Sequence, residues 1–224
     1  MTNKRNKPHR KEAVVLLSGG LDSAVTLYLA KKKGFICRCL IFDYGQRHKR
    51  EIESAKRIAK TAGCPFKIIN IRLPWKGSSL LDKKRAIPKD SKFRIPSTYV
   101  PARNIIFLSI ALSFAESAGS KAIFIGAHTQ DYSGYPDCRA EFFKIFDEII
   151  KVGTKAGVEL KRIKIITPLI KKSKSEIIKL GQKLGVPFEL TWSCYRGGKR
   201  PCGKCDSCRF RAKGFTEAGL PEPL

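Results

Sequence analysis

Two groups of residues have the types and spacing to do chemistry, and they lie far apart in the chain. The first is Ser18-Gly19-Gly20-Leu21-Asp22-Ser23, two hydroxyls and a carboxylate set around paired glycines. The apolar run Ala13-Val14-Val15-Leu16-Leu17 enters it, and Leu21, Val25, Leu27, Tyr28 and Leu29 leave it with helical spacing. That passage predicts a buried strand, a tight turn and a helix N-terminus. Backbone N–H groups at a helix start have no intrahelical partner and stand at the positive end of the dipole. Glycines let such a backbone close on a ligand, and the hydroxyls of Ser18 and Ser23 add donors, making a nest for phosphate oxygens. Spacing alone leaves open an ordinary strand–helix turn with Asp22 or Ser23 near the helix start. No Lys-Ser/Thr pair follows the glycines, and the dinucleotide glycine fingerprint is absent.

The second group is Cys194, Cys202, Cys205 and Cys208, spaced C-x7-C-x2-C-x2-C. Two-residue gaps let neighbouring thiolates converge on one ion, and four thiolates complete a tetrahedral zinc site. Such a site has no vacant position, so Zn2+ there is structural and contributes folding free energy. An iron–sulfur cluster is the rival reading, although Ala212 stands where a ferredoxin-type run would have its fourth ligand. Cys37, Cys39 and Cys64 read as packing residues, and His9, His48 and His128 are scattered.

The elements that must position these groups alternate. Strands are expected at 13–17, 35–42, 66–71, 121–126 and 162–166. Helices are expected from Leu21, over 46–62, 104–118 and 140–152, and from Ser173, where Glu176 offers a capping box. Phe142, Phe143, Phe146, Ile149 and Ile150 are expected to face inward. Short apolar strands alternating with helices predict an α/β fold, an open parallel sheet with helices on both faces. Ligands of such sheets bind at the carboxyl ends of the strands. That edge collects the Ser18 turn, Asp43-Tyr44-Gly45, the polar loop 127–139 and Pro168. Residues 1–12 read as a basic tail, 13–190 as the main domain, and 191–224 as a small C-terminal zinc-binding segment. Residues 72–99, with Pro74, Gly77, Pro88 and Pro96, break the rhythm and read as a flap over the site.

Composition narrows the classes. A 224-residue chain that is 42% hydrophobic and 29% charged is expected to be a soluble domain with a full core. No segment approaches the roughly 20 apolar residues of a membrane span. With no secretory leader pattern, a cytoplasmic location is expected. Lys and Arg number 45 against 19 acidic residues, a formal charge of +26 that favours anionic partners. The basic residues are scattered over helical faces, so solvated lysines rather than a dedicated nucleic-acid surface are expected.

The Ser18–Ser23 turn resembles the pyrophosphate loop of PP-loop ATP pyrophosphatases, Ser-Gly-Gly-x-Asp-Ser. Further stretches make the resemblance narrower: Asp43-Tyr44-Gly45-Gln46-Arg47-His48, Tyr99-Val100-Pro101-Ala102-Arg103-Asn104, Asp131 to Arg139 (DYSGYPDCR), Thr167-Pro168-Leu169, Thr191-Trp192-Ser193-Cys194-Tyr195, and Pro201 to Arg209 around three of the cysteines. In that order they resemble the 7-cyano-7-deazaguanine synthase family of queuosine precursor synthesis. The resemblance implies an adenine-nucleotide-hydrolase-like fold and a ligase joining 7-carboxy-7-deazaguanine and ammonia, through two adenylations by ATP, into the nitrile. It also points to a homodimer.

On that reading the cofactor stretch is Leu17, Ser18, Gly19, Gly20, Leu21, Asp22, Ser23, Ala24, Val25, Thr26 and Leu27, with Asp22 a ligand for Mg2+. Asp22, Ser23 and Arg103 carry the chemistry. Substrate contacts fall among Tyr44, Gln46, Arg103, Asn104, Asp131, Tyr132, Ser133, Tyr135, Asp137 and Arg139. Asp131 or Asp137 would accept from the deazaguanine N–H groups, Tyr132 or Tyr135 would stack, and Arg103 or Arg139 would grip the carboxylate with two parallel bonds. The main alternative is a PP-loop tRNA-modifying enzyme, expected to show salt-sensitive tRNA binding that responds to ATP. A zinc-knot nucleic-acid binder would leave the phosphate loop unexplained.

Overall fold

The computed structural model describes residues 11–82, 84–87, 95–128 and 134–223. The tail calls on residues 1–10 and the substrate calls on Asp131, Tyr132 and Ser133 lie outside them.

β1 (Glu12–Leu16) is apolar on both faces and forms the centre of a five-stranded sheet. The strands β1, β2 (Ile36–Asp43), β3 (Phe66–Asn70), β4 (Ala122–Phe124) and β5 (Lys164–Ile166) lie in the order β3-β2-β1-β4-β5, and every pairing is parallel. Alternate residues of β1 enter two cores. Ala13 and Val15 pack with α1 (Leu21–Lys32), α2 (Arg50–Thr61), α6 (Lys174–Lys183) and α7 (Asp206–Ala218). Val14 and Leu16 pack with α3 (Arg103–Ser117) and α4 (Ala140–Gly153), to which the short α5 (Lys155–Val158) is appended. The expected two-faced α/β sheet is therefore the observed one. The chain leaves β1 toward β2 and later returns on the other side to β4, so the turns after β1 and β4 diverge and open a crevice between them. Among the described residues no helix is long and apolar enough to cross a membrane.

Three expectations are corrected. α2 begins at Arg50 and not at Gln46. The buried Gln46 side chain accepts the Tyr44 N–H at 2.8 Å and donates to the Phe42 carbonyl at 3.1 Å, which holds the chain in a loop. The helix opened by Ser173, capping box included, is not the last; α7 follows it, with Phe215 in the core. On α4, Phe143, Phe146 and Ile150 face inward, whereas Ile149 is 49% exposed. The described parts of 72–99 are anchored: the Ser79 N–H donates to the Ser97 carbonyl at 2.8 Å and the Arg47 N–H to that of Leu80 at 2.9 Å. Cys37, Cys39 and Cys64 are buried in the core, as their reading as packing residues requires.

Candidate active site

The turn after β1 is held open by its own hydroxyls. Ser18 Oγ donates to Ser23 Oγ at 3.0 Å, and Ser23 Oγ donates to the Gly20 carbonyl at 2.9 Å. No side chain caps α1, so the N–H groups of its first turn are left for a ligand. Two glycines make the packing around this turn possible. Gly19 has φ +85°, and a Cβ there would sit 2.1 Å from the Glu51 carbonyl oxygen. A Cβ on Gly126, after β4, would sit 2.9 Å from the Asp22 backbone.

The turn forms the floor of a cavity of about 320 Å³. Of the cofactor stretch, Leu17, Ser18, Gly20, Leu21, Asp22 and Ser23 line it. Gly19 stands behind the turn, and Ala24, Val25, Thr26 and Leu27 are turned into the protein as buried positions of α1. Asp22 does not stand free. Lys174 Nζ, from the first turn of α6, donates to both of its carboxylate oxygens at 2.8 and 2.9 Å, and His128 Nε2 lies 3.5 Å from one of them. Burial works to raise the Asp22 pKa, but Lys174 and His128 outweigh it and hold the carboxyl well below its usual range. Lys174 Nζ and His128 Nε2 are themselves 3.0 Å apart, so the three side chains form one polar cluster.

The opposite wall carries Tyr44, Gln46, Arg103, Asn104 and Tyr135. The Arg103 guanidinium donates to the Tyr44 hydroxyl at 3.2 Å and makes no salt bridge with a described residue. Burial raises the Tyr44 pKa, with Arg103 opposing. Asp137 and Arg139 do not line the cavity. Asp137 is buried and accepts the Asn104 backbone N–H at 3.0 Å, serving the start of α3, where Ala102 has no capping side chain. Arg139 precedes the first turn of α4.

Several lining residues were not among the sequence candidates: Glu51, His128, Cys138, Lys174, and Trp192 with the C-terminal residues beyond it. Lys174 carried a readable signal, because a lysine in the first turn of a helix opposes the dipole. The C-terminal segment is part of the site. The Trp192 N–H donates to the Gly19 carbonyl at 2.9 Å, and Ser193, Tyr195, Asp206, Ser207, Phe210 and Arg211 line the cavity.

The sulfurs of Cys194, Cys202, Cys205 and Cys208 all lie within 4.8 Å of one another, a set that could hold a metal ion. Separations of 3.5 Å (Cys205–Cys208) and 4.0 Å (Cys202–Cys208) bracket the edge of about 3.8 Å that a tetrahedron of 2.3 Å metal–sulfur bonds requires. N–H groups of Arg196 and Cys202 point at the Cys194 sulfur, both at 3.4 Å.

A profile described as "Queuosine biosynthesis protein QueC" matches residues 12–219. The chain belongs to the QueC family. Curated relatives named 7-cyano-7-deazaguanine synthase include one from Trichodesmium erythraeum, 50% identical over 95% of this chain and 99% of its own length. Another, from Thermoplasma acidophilum, is 51% identical over 96% of this chain and 92% of its own. Among solved structures, an NMN synthetase from Francisella tularensis superposes with a TM-score of 0.53 at 16% identity, covering 96% of this chain and 79% of that one. That likeness concerns the fold alone.

Proposed function

We propose that this QueC-family chain makes 7-cyano-7-deazaguanine from 7-carboxy-7-deazaguanine, ammonia and two molecules of ATP. Each ATP adenylates a substrate oxygen and releases pyrophosphate. The observation that carries the reading is one cavity with an uncapped helix start at its floor and, in its wall, a half-buried Arg103 that makes no salt bridge with a described residue.

The substrate carboxylate would pair with Arg103, an interaction suited to a planar guanidinium. Its flat ring would lie against Tyr44 and Tyr135. The first-turn amides of α1 and the Ser18 and Ser23 hydroxyls would take the phosphates, where fixed donors stabilise the charge that develops as pyrophosphate leaves. Lys174, bound to Asp22 in this structure, would turn to the phosphates when ATP enters. Asp22, freed of it, is a hard oxygen ligand of the kind Mg2+ uses, and the ion neutralises phosphate charge when bound. The sulfur spacing suits one Zn2+ ion better than a cluster, whose core would hold the thiolates farther apart.

The test is product analysis after incubation with the carboxy-deazaguanine, ammonium and ATP. AMP, pyrophosphate and the nitrile are expected, and ADP as the main nucleotide product would refute the proposal.

A further inference from the structure

Glu51 has no task in that mechanism. It sits in the first turn of α2, its carbonyl wedged against Gly19, and its side chain lines the cavity. Its carboxyl makes neither a hydrogen bond nor a salt bridge with a described residue. By contrast, Asp22 is held by Lys174, and Asp137 by Asn104. Asp206, the other lining carboxyl, is bracketed by the metal-set residues Cys205 and Cys208. Glu51 therefore lies beside the phosphate loop on one side and within the field of Arg103, the carboxylate grip, on the other. On the mechanism above, the reacting carbon and its nitrogen would sit between the two.

We infer that Glu51 is the general base that strips protons from the substrate nitrogen, an assignment that rests on the synthase reading above. In the first half, ammonia adds to the acyl adenylate, Glu51 takes one N–H proton, and the carbon–oxygen bond to AMP breaks to leave the amide. In the second half, the amide oxygen attacks the α-phosphorus of ATP and pyrophosphate leaves, giving a protonated imidate ester of AMP. Glu51 takes one proton from its nitrogen. After returning that proton to solvent it takes the second, as the carbon–oxygen bond breaks and the nitrile forms. The base acts once in the first half and twice in the second.

The groups facing Glu51 are Arg103 from α3, Tyr44 after β2, and Cys194 and Tyr195 from the C-terminal segment. Burial raises the Glu51 pKa from its ordinary range toward neutral pH, with Arg103 opposing. A base works best with its pKa near the operating pH.

The decisive substrate is the 7-carboxamide, which needs ATP but no ammonia, so that ammonium titration drops out. With Glu51→Gln, nitrile formation from the amide is expected to fall by about 100-fold or more. The wild-type rise in rate through pH 7 should vanish, and Glu51→Asp should restore part of both. Carboxylate-dependent ATP–pyrophosphate exchange should stay within about threefold of wild type, which a role in binding or folding would not spare. Glu51→Gln retaining the rate and pH limb, or exchange falling in parallel, would overturn the assignment. Absence of nitrile from the wild-type protein would instead refute the synthase reading.

Discussion

Lys174→Met separates the roles of the α6 lysine most cleanly. Methionine keeps an unbranched stem where α7 is close, since a Cβ on Gly214 would lie 2.3 Å from Lys174 Cγ. What is lost is the ammonium between two Asp22 oxygens. Breaking a fully buried pair costs about 3–5 kcal/mol and a surface pair about 0–1. Here the side chains are 12% and 26% exposed, and His128 remains beside Asp22, which argues for about 2 kcal/mol. For a chain of this length that is a fall of roughly 4–8 °C in Tm. The sign with pH follows from Asp22: a carboxyl held below its ordinary 3.8 stabilises the fold above that value and loses the contribution as pH falls. The gap between wild type and variant should therefore close on acidification below pH 4. If Lys174 also meets the phosphates, removing one charged donor should lower ATP–pyrophosphate exchange by about 10²–10³-fold. An unchanged Tm together with exchange within threefold of wild type would refute both halves of the reasoning.

Arg103→Lys keeps the charge and loses the planar two-pronged grip. The KM for the carboxy substrate should rise at least tenfold while that for the neutral amide moves much less, as initial-rate measurements on both would show. Cys205→Ser should release one metal ion per chain to a colorimetric chelator and leave an unstable, aggregating protein; a soluble variant that melts cooperatively with its metal retained would contradict this.

The strand–helix alternation was legible because each parallel strand is a short apolar run that must be covered on both faces. The metal set was legible from spacing alone, and Tyr44, Gln46, Arg103, Asn104 and Tyr135 do line the same cavity as the Ser18–Ser23 turn. What could not be read depends on contacts distant in sequence. Asp22 and Lys174 are 152 residues apart, and the sheet order brings them together. Asp137 looked like a substrate acceptor because nothing local showed that α3 lacks a cap of its own. Gln46 belongs to a loop because its amide replaces bonds a helix would have made. Glu51 looked like one more acidic residue on an amphipathic helix, since its isolation appears only when the opposite wall is in place.

The position of α7 explains why a metal set belongs beside a phosphate loop. Its buried Arg211 donates to the Thr191 hydroxyl at 2.7 Å and to the Phe188 carbonyl at 3.2 Å, fixing the helical turn Phe188–Leu190 and the segment that leads from it into the cysteine set. One residue on, Trp192 donates its backbone N–H to Gly19 and its indole N–H to the Cys194 carbonyl, each at 2.9 Å. The Gly19 carbonyl, turned back by a positive φ, is thus held from outside the loop by a residue two positions from a metal-set cysteine. With that carbonyl held away from the cavity, the amides that follow are free to face it. Closure of four thiolates on one ion would then help to hold the Gly19 carbonyl in this position through Trp192.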